Sequence, residues 1–356
     1  MTPRTGSAAA AVFAAAFAAA AARGGDGPWS GVAVLEADAS GALEPLGETL
    51  LGDDAPEGLS GIAWLGEGGA FPASRFAFAD DSGGRVRFAD LLFDAASGAP
   101  TGCVFLASAE VPGAVDLEGA AFDPAERTLW LCDERGPALL RAAVGPDGAS
   151  IARAERGPEL PEELQRCRPN LALESVAAAP GGRLWTASES WPEGGEPGFA
   201  VLAGLATRGG KAQWTAAKFP LEPASGTPLP RLPAPWTGLC GLCALPDGRL
   251  VSLERSFGYE IAEGADGEPV QSLCRAAVSV AEAGPGGEVR KRVLWRAMTG
   301  NANYEGVCLG PELPGGGRLL VAVSDGDVSR RGGLAFPWKK SLLAFRLRPE
   351  LAGGAP

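Results

Sequence analysis

The chain repeats itself, and that repetition narrows its fold further than any other feature. Five segments open alike: residues 57–64 (EGLSGIAW), 116–123 (DLEGAAFD), 171–179 (LALESVAAA), 238–245 (GLCGLCAL) and 303–310 (NYEGVCLG). Each leads through a Gly-, Pro- or Asp-bearing link into a second apolar run, at residues 75–81, 128–134, 183–189, 249–255 and 318–325. Links such as PGG at 180–182 and PDG at 246–248 carry hairpin chemistry, because glycine accepts a positive φ and proline presets a turn. Every copy therefore reads as two antiparallel strands. One slot of the first strand holds Ser60, Glu118, Glu174, Cys240 and Glu305, spaced 56 to 66 residues apart.

A period of that length leaves room for two more strands per copy. GRVRFADLLF and CVFLASAEV supply them after the first copy, PALLRAAV after the second, GFAVLAGLA and AQWTAAKF after the third, AAVSVAEAG and VRKRVLWRA after the fourth. Four strands radially repeated make a ring that protects its sheet edges by closing on itself. The fold class expected is all-β: a β-propeller of five or six four-stranded blades, closed by N- and C-terminal strands. SLLAFRLRP near one end and VAVLEAD with ALEPLGETLL near the other complete the last blade and join it to the first. Helical periodicity is confined to the leader and to PEELQRC at 161–167, and no Gly-rich phosphate loop stands between a strand and a helix.

Composition excludes several functions. With 46% hydrophobic and 21% charged residues, the 356-residue chain has the material for a large core. A net charge of −12 repels DNA and RNA, so no nucleic-acid partner is expected. The chain has no histidine, which removes the Ser-His-Asp triad, the Cys-His pair and His-bearing zinc sites. The first residues place Arg4 before an apolar run at 8–22 and small residues before Arg23, the three parts of a secretory signal. Residues 1–22 are thus expected to be a signal peptide and 29–350 a single propeller domain, secreted or periplasmic, without a membrane span after processing and monomeric. Seven cysteines are an odd number and do not form a small-domain disulfide framework. The lone CxxC of Cys240 and Cys243 reads as buried strand cysteine.

The repeats resemble the family called esterase-like activity of phytase, or phytase-like domain proteins. GLSGIAW with FADDSG, DLEGAAFD with LWLCDERGPALLR, NLALESVAAAPGGRLWTASES, LPDGRLVSLERSFG, and YEGV with LLVAVSDGD carry the resemblance, from about Gly58 to Asp327. It implies an exported propeller with phosphoester or ester hydrolase activity. Cys240 departs from the acidic pattern of its slot.

The inner strand of a propeller blade lines the central channel, so Glu118, Glu174 and Glu305 are expected to converge at one mouth. The second strands end on acids too, at Asp80, Asp133, Glu134, Glu189, Glu254 and Asp325. Like charges held close either raise one another's pKa or recruit a cation. Oxygen ligands without His or thiolate favour Ca²⁺, for which Glu118, Glu174, Glu305, Asp80, Asp133 and Asp325 are the expected ligands, with Asn170 and Asn303 as neutral donors. Arg135 and Arg255 stand at matching strand ends, suited to a small anionic ester or phosphoester; with the three glutamates they form the candidate catalytic set. The same carboxylates would equally serve as acceptors for backbone N–H groups of the next blade. Two other functions fit these residues: a non-catalytic propeller binding a ligand or protein through loops 191–197 and 220–236, and a calcium-dependent lactone hydrolase.

Overall fold

The computed structural model describes residues 32–352, apart from 169, 193–194, 209–210, 225–233, 262–269, 285, 327 and 332–333. The leader at 1–22 lies outside the described residues, as do parts of loops 191–197 and 220–236.

Five antiparallel sheets form a five-bladed β-propeller, which settles the blade number. In chain order the strands are β1 (Ala33–Ala37) and β2 (Leu43–Leu50), then blade 1 from β3 (Leu59–Trp64), β4 (Arg75–Asp80), β5 (Arg85–Phe93) and β6 (Pro100–Glu110). Blade 2 comprises β7 (Leu117–Asp123), β8 (Thr128–Asp133), β9 (Ala138–Val144) and β10 (Ile151–Arg156). Blade 3 comprises β11 (Leu173–Ala179), β12 (Arg183–Ser188), β13 (Phe199–Arg208) and β14 (Lys211–Pro220). Blade 4 runs from β15 (Trp236–Ala244) through β16 (Leu250–Ile261) and β17 (Val270–Ala283) to β18 (Val289–Gly300). Blade 5 opens with β19 (Tyr304–Glu312) and β20 (Arg318–Ser324), followed by the hairpin β21 (Val328–Arg331) and β22 (Leu334–Pro337), and then β23 (Ser341–Leu347). PEELQRC contains the short helix α1 (Glu162–Gln165), and α2 (Pro349–Ala352) follows the last strand.

The two N-terminal strands part company. β2 pairs with β23 and becomes the outer strand of blade 5, closing the ring, whereas β1 pairs with β18 and adds a fifth strand to blade 4. The expectation that both would join the last blade to the first holds for β2 alone. Tyr304 on β19 reinforces the closure: its buried hydroxyl donates to Glu48 on β2 at 2.9 Å, and Lys339 pairs with the same carboxylate at 3.4 Å.

Burial explains the sequence texture. Inner and second strands such as β3, β4, β11 and β20 are covered on both sides by neighbouring blades and read as near-continuous apolar runs. The outer β6 alternates because one side meets water. Aromatic pairs bind the blades face to face: Trp295 meets Phe345 edge-on at 4.9 Å between blades 4 and 5, and Phe71 meets Phe122 at 6.0 Å between blades 1 and 2.

The inner strands β3, β7, β11, β15 and β19 contact one another in that cyclic order around the axis. All five carry a bulge at the same place. Ladder pairs jump from Leu59/Asp80 to Gly61/Ala79, from Leu117/Asp133 to Gly119/Cys132, from Leu173/Ser188 to Ser175/Ala187, from Leu239/Glu254 to Gly241/Leu253 and from Tyr304/Ser324 to Gly306/Val323. The skipped residue is each time the repeated slot: Ser60, Glu118, Glu174, Cys240 or Glu305. A bulge leaves its extra residue out of the ladder and re-aims its side chain.

Four of the five following residues are glycines, for a steric reason. A Cβ on Gly306 would lie 2.5 Å from the Ser60 carbonyl and 2.9 Å from the Gly61 Cα; one on Gly119 would lie 2.9 Å from the Glu174 carbonyl. Those obstacles are backbone of the next blade, so they cannot yield by a rotamer change. Gly306→Ala is therefore expected to cost about 1–3 kcal/mol in chemical denaturation. Gly102→Ala, where the nearest atom is a Leu92 methyl at 3.5 Å, should stay near the wild-type value.

Candidate functional site

The bulges set out two tiers of five side chains at one mouth of the channel. The bulged residues form the first tier. The second comprises Asp81, Glu134, Glu189, Arg255 and Asp325, each one residue beyond the partner of the strand residue that precedes the bulge. Asp116, two residues before Glu118, joins them from blade 2. These groups feel one another's charge. Burial raises the Glu118 pKa well above the ordinary carboxylate range, and Glu305, Asp81, Glu134 and Asp116 push it further. Glu174 is raised likewise, first by burial and then by Glu189, Glu118 and Glu134. For Glu134 the value reaches about 7, burial outweighing the backbone N–H of Ala172 that it accepts at 2.9 Å.

Arg255 divides the ring. Its Nη1 donates to Glu305 and, at 2.8 Å, to the Asn303 amide oxygen, while Nη2 donates to Glu189 at 2.8 Å. The guanidinium lies over the Trp236 ring at 5.4 Å. Burial alone would lower the Arg255 pKa, but Glu305 and Glu189 more than reverse this. Ser60 donates to the second Glu305 oxygen at 3.0 Å, and Asn303 donates to Glu305 at 2.9 Å and to Asp325 at 3.4 Å. The blade 4–5 half of the ring thus has one guanidinium offsetting part of its carboxylate charge.

The blade 2–3 half is different. Ligand oxygens of Asp116, Glu118 and Glu134 all lie within 4.8 Å of one another. Glu174 Oε2 is buried without a hydrogen-bond partner. An oxygen-only donor set with one orphaned oxygen fits a hard divalent cation.

The sequence-expected residues fall into two groups. Glu118, Glu174, Glu305, Arg255 and Asp325 come together in the tiers. Asp80 and Asp133 are engaged elsewhere: the Asp80 oxygens accept from Ser82 and from Arg87 Nε at 2.7 Å, and those of Asp133 from the Val115 and Arg135 backbone N–H at 2.7 and 2.9 Å. Arg135 lies exposed at the rim, 3.5 Å from Asp116. Glu254 is buried against Lys291 at 2.8 Å, and Asn170 is exposed. Sequence reasoning missed Asp116 and Asp81. The first was signalled by its i, i+2 relation to Glu118 on one strand face, whereas the Asp80-Asp81 doublet concealed which acid faces inward. Cys240 and Cys243 are free thiols, as are all seven cysteines, so the CxxC is not a disulfide.

A ring of bulged inner strands carrying carboxylates at one mouth defines the chain as an acid-mouthed five-bladed propeller. The family is more particular: the model of esterase-like activity of phytase matches residues 55–328, and the chain belongs to this phytase-like family. No curated protein matches in sequence. Among solved structures, luciferin-regenerating enzyme is 12% identical over 85% of this chain and 94% of its own, with a TM-score of 0.43. Periplasmic gluconolactonase of Pseudomonas aeruginosa is 15% identical over 81% and 88%, with a TM-score of 0.40. Endo-arabinase of Bacteroides thetaiotaomicron is 11% identical over 80% and 94%, with a TM-score of 0.44.

Raised carboxyl pKa values oppose folding at neutral pH. The folded chain keeps on Glu134 a proton that the unfolded chain releases in the ordinary carboxylate range, so metal-free stability should fall as pH rises from about 4.5 through 7. Thermal melts in chelator across that window check this, and Glu118→Gln should raise the pH 7.5 melting temperature by about 1–3 °C. Arg255→Ala should cost about 3–5 kcal/mol at pH 8 by leaving Glu189 and Glu305 buried and unpaired. The loss should shrink at pH 5 as Glu189, whose pKa burial raises, takes up a proton.

Proposed function

We propose that this chain is an exported, monomeric, calcium-dependent hydrolase of small anionic esters or phosphoesters, acting at the carboxylate mouth. The observation that carries the reading is the close set of Asp116, Glu118 and Glu134 oxygens beside the unpartnered Glu174 oxygen. The family's description as esterase-like supports the reaction class. For export, the support is the signal-like leader.

Asp116, Glu118 and Glu134 would hold the cation. When bound, calcium supplies Lewis-acid polarisation of a phosphoryl or carbonyl oxygen and a more acidic water. Burial and the neighbouring Glu189 and Glu118 raise the Glu174 pKa well above the ordinary carboxylate range and favour its protonated form. Its free oxygen leaves it able to donate to a departing alkoxide, the task of a general acid. Arg255, locked by Glu189, Glu305 and Asn303, fixes the opposite wall and keeps a buried Nε–H without a hydrogen-bond partner, a donor suited to an anionic oxygen.

Calorimetric titration of the chelator-stripped protein with Ca²⁺ should give one stoichiometric site, and a hundredfold excess over Kd should stabilise the fold by about 2.7 kcal/mol. Glu118→Gln should abolish that binding. Glu174→Gln should keep it and lower kcat on an alkyl phosphate or alkyl ester, whose alkoxide leaving group needs the proton, by about 100-fold or more. Binding without turnover on either ester class would instead favour a non-catalytic propeller, and absence of binding would overturn the metal site.

A further inference from the structure

The other mouth of the channel has a different chemistry. The links that join inner to second strands turn at this end, and Glu67, Pro124, Gly181 and Pro246 on the links of blades 1 to 4 line a cavity of about 390 Å³. The inner strands add Ala63, Ala121, Ala177, Leu242 and Val307 to its lining. A concave, largely apolar space of that size suits a small organic molecule. Leu242 and Val307 also line the neck, which has room for about 10 Å³, roughly one water molecule. An organic molecule held at this end is therefore separated from the carboxylate mouth.

The charged residues around this cavity are sorted by sign. Glu67, Asp123 and Glu126 line it. An arginine opens or directly precedes the second strand of every blade, at Arg75, Arg127, Arg183, Arg249 and Arg318, yet none of the five lines the cavity. Each is held elsewhere. Arg75 pairs with Asp90 at 2.9 Å and Arg249 with Asp247, while Arg127, Arg183 and Arg318 lie over the rings of Phe71, Trp185 and Trp64 at 4.5, 5.3 and 5.3 Å. The three acids differ in what they have left to offer. Glu126 pairs with Arg141 at 2.7 Å, and Glu67 lies 3.9 Å from Arg318. Asp123 accepts the backbone N–H groups of Ala125 and Glu126 on one oxygen, at 3.0 and 3.4 Å, and among the described residues it forms no ion pair. A carboxylate without a cation, set in the wall of a largely apolar space, is complementary to a positive charge on an apolar body.

We propose that this cavity is a second ligand site, for a small apolar cation: a primary ammonium on an aryl or alkyl body, with the ammonium at Asp123 and the body against the alanine, leucine and valine lining. Removing the body from water supplies most of the affinity. The carboxylate supplies the choice between ligands, because a neutral analogue forgoes the charged hydrogen bond and an anionic one meets three acids. The site is thus opposite in preference to the small anionic esters assigned to the carboxylate mouth.

The test is calorimetric titration of the full chain at neutral pH, in excess Ca²⁺, with 2-phenylethylammonium, and with 2-phenylethanol and 3-phenylpropanoate as its neutral and anionic counterparts. One equivalent of the ammonium should bind with a Kd of about 0.1 mM, the alcohol about 10-fold more weakly and the propanoate not at all. Asp123→Asn keeps an oxygen for the Ala125 N–H, so the turn should hold, as near-ultraviolet circular dichroism checks. It should weaken the ammonium about 10-fold and leave the alcohol unchanged. Glu126→Gln, whose carboxylate already has Arg141, should change ammonium affinity by less than about 3-fold. Trp64 lines the cavity, so the ammonium should alter its fluorescence, and that response should be lost in Trp64→Phe. Glu118→Gln should bind the ammonium as the wild type does, which separates this site from the carboxylate mouth. Equal affinity for the three compounds, no effect of Asp123→Asn, loss of binding in Glu118→Gln, or no saturable binding of the ammonium would overturn the proposal.

Discussion

The close approach of the five inner strands at their bulges is the constraint on which the rest of the molecule depends. At the neck each strand runs backbone to backbone against the next, with Gly61, Gly119, Gly241 and Gly306 standing where any Cβ would meet a neighbouring carbonyl or Cα. That contact leaves room for about 10 Å³ between the strands, roughly one water molecule. It also forces the bulge, because a regular pleat could not turn a strand so near the axis while still aiming a side chain into the mouth. Ser175 alone takes the place of a glycine, and its buried hydroxyl has no hydrogen-bond partner.

The same geometry concentrates charge at a cost. Carboxyl groups from four blades face the mouth, and on blades 2 and 3 burial and like-charged neighbours disfavour the anions of Glu118, Glu174 and Glu134. The protein offsets this in two ways. Arg255 pairs with Glu305 and Glu189, and Asn303 and Ser60 donate hydrogen bonds to Glu305, on the side of the ring toward blades 4 and 5. In the half toward blades 2 and 3, the exposed Arg135 comes no closer than 3.5 Å to Asp116, and the oxygens of Asp116, Glu118 and Glu134 lie close together. A site that folds against its own repulsion gains stability from whatever cation it binds, which ties function to folding free energy.

Much of this was legible in the chain. Repeats about 60 residues apart gave the blade, because each unit must bury its flanks against the next, and the hairpin links gave strand order. Glu118, Glu174 and Glu305 were identifiable because they fall at one phase of the repeat. Other elements were not legible. β10, residues IARAER, lacks an apolar run because an exposed outer strand has no second blade to face. β1 and β2 look alike in sequence, yet only pairing decided that β2 closes the ring and β1 caps blade 4. Asp80 and Asp81 are identical side by side, and which one faces the channel depends on the bulge register opposite them.

The sequence by itself determined the repeating unit, the all-β class, the absence of histidine chemistry and the acidic character of one strand phase, since these depend on residue type and local period. Only the tertiary structure decided which acids meet, that Arg255 pairs with Glu189 and Glu305, and that Cys240 and Cys243, three residues apart, stand at different levels of the channel. Those outcomes depend on distances between blades, and such distances are set by closure of the ring, which no single repeat contains.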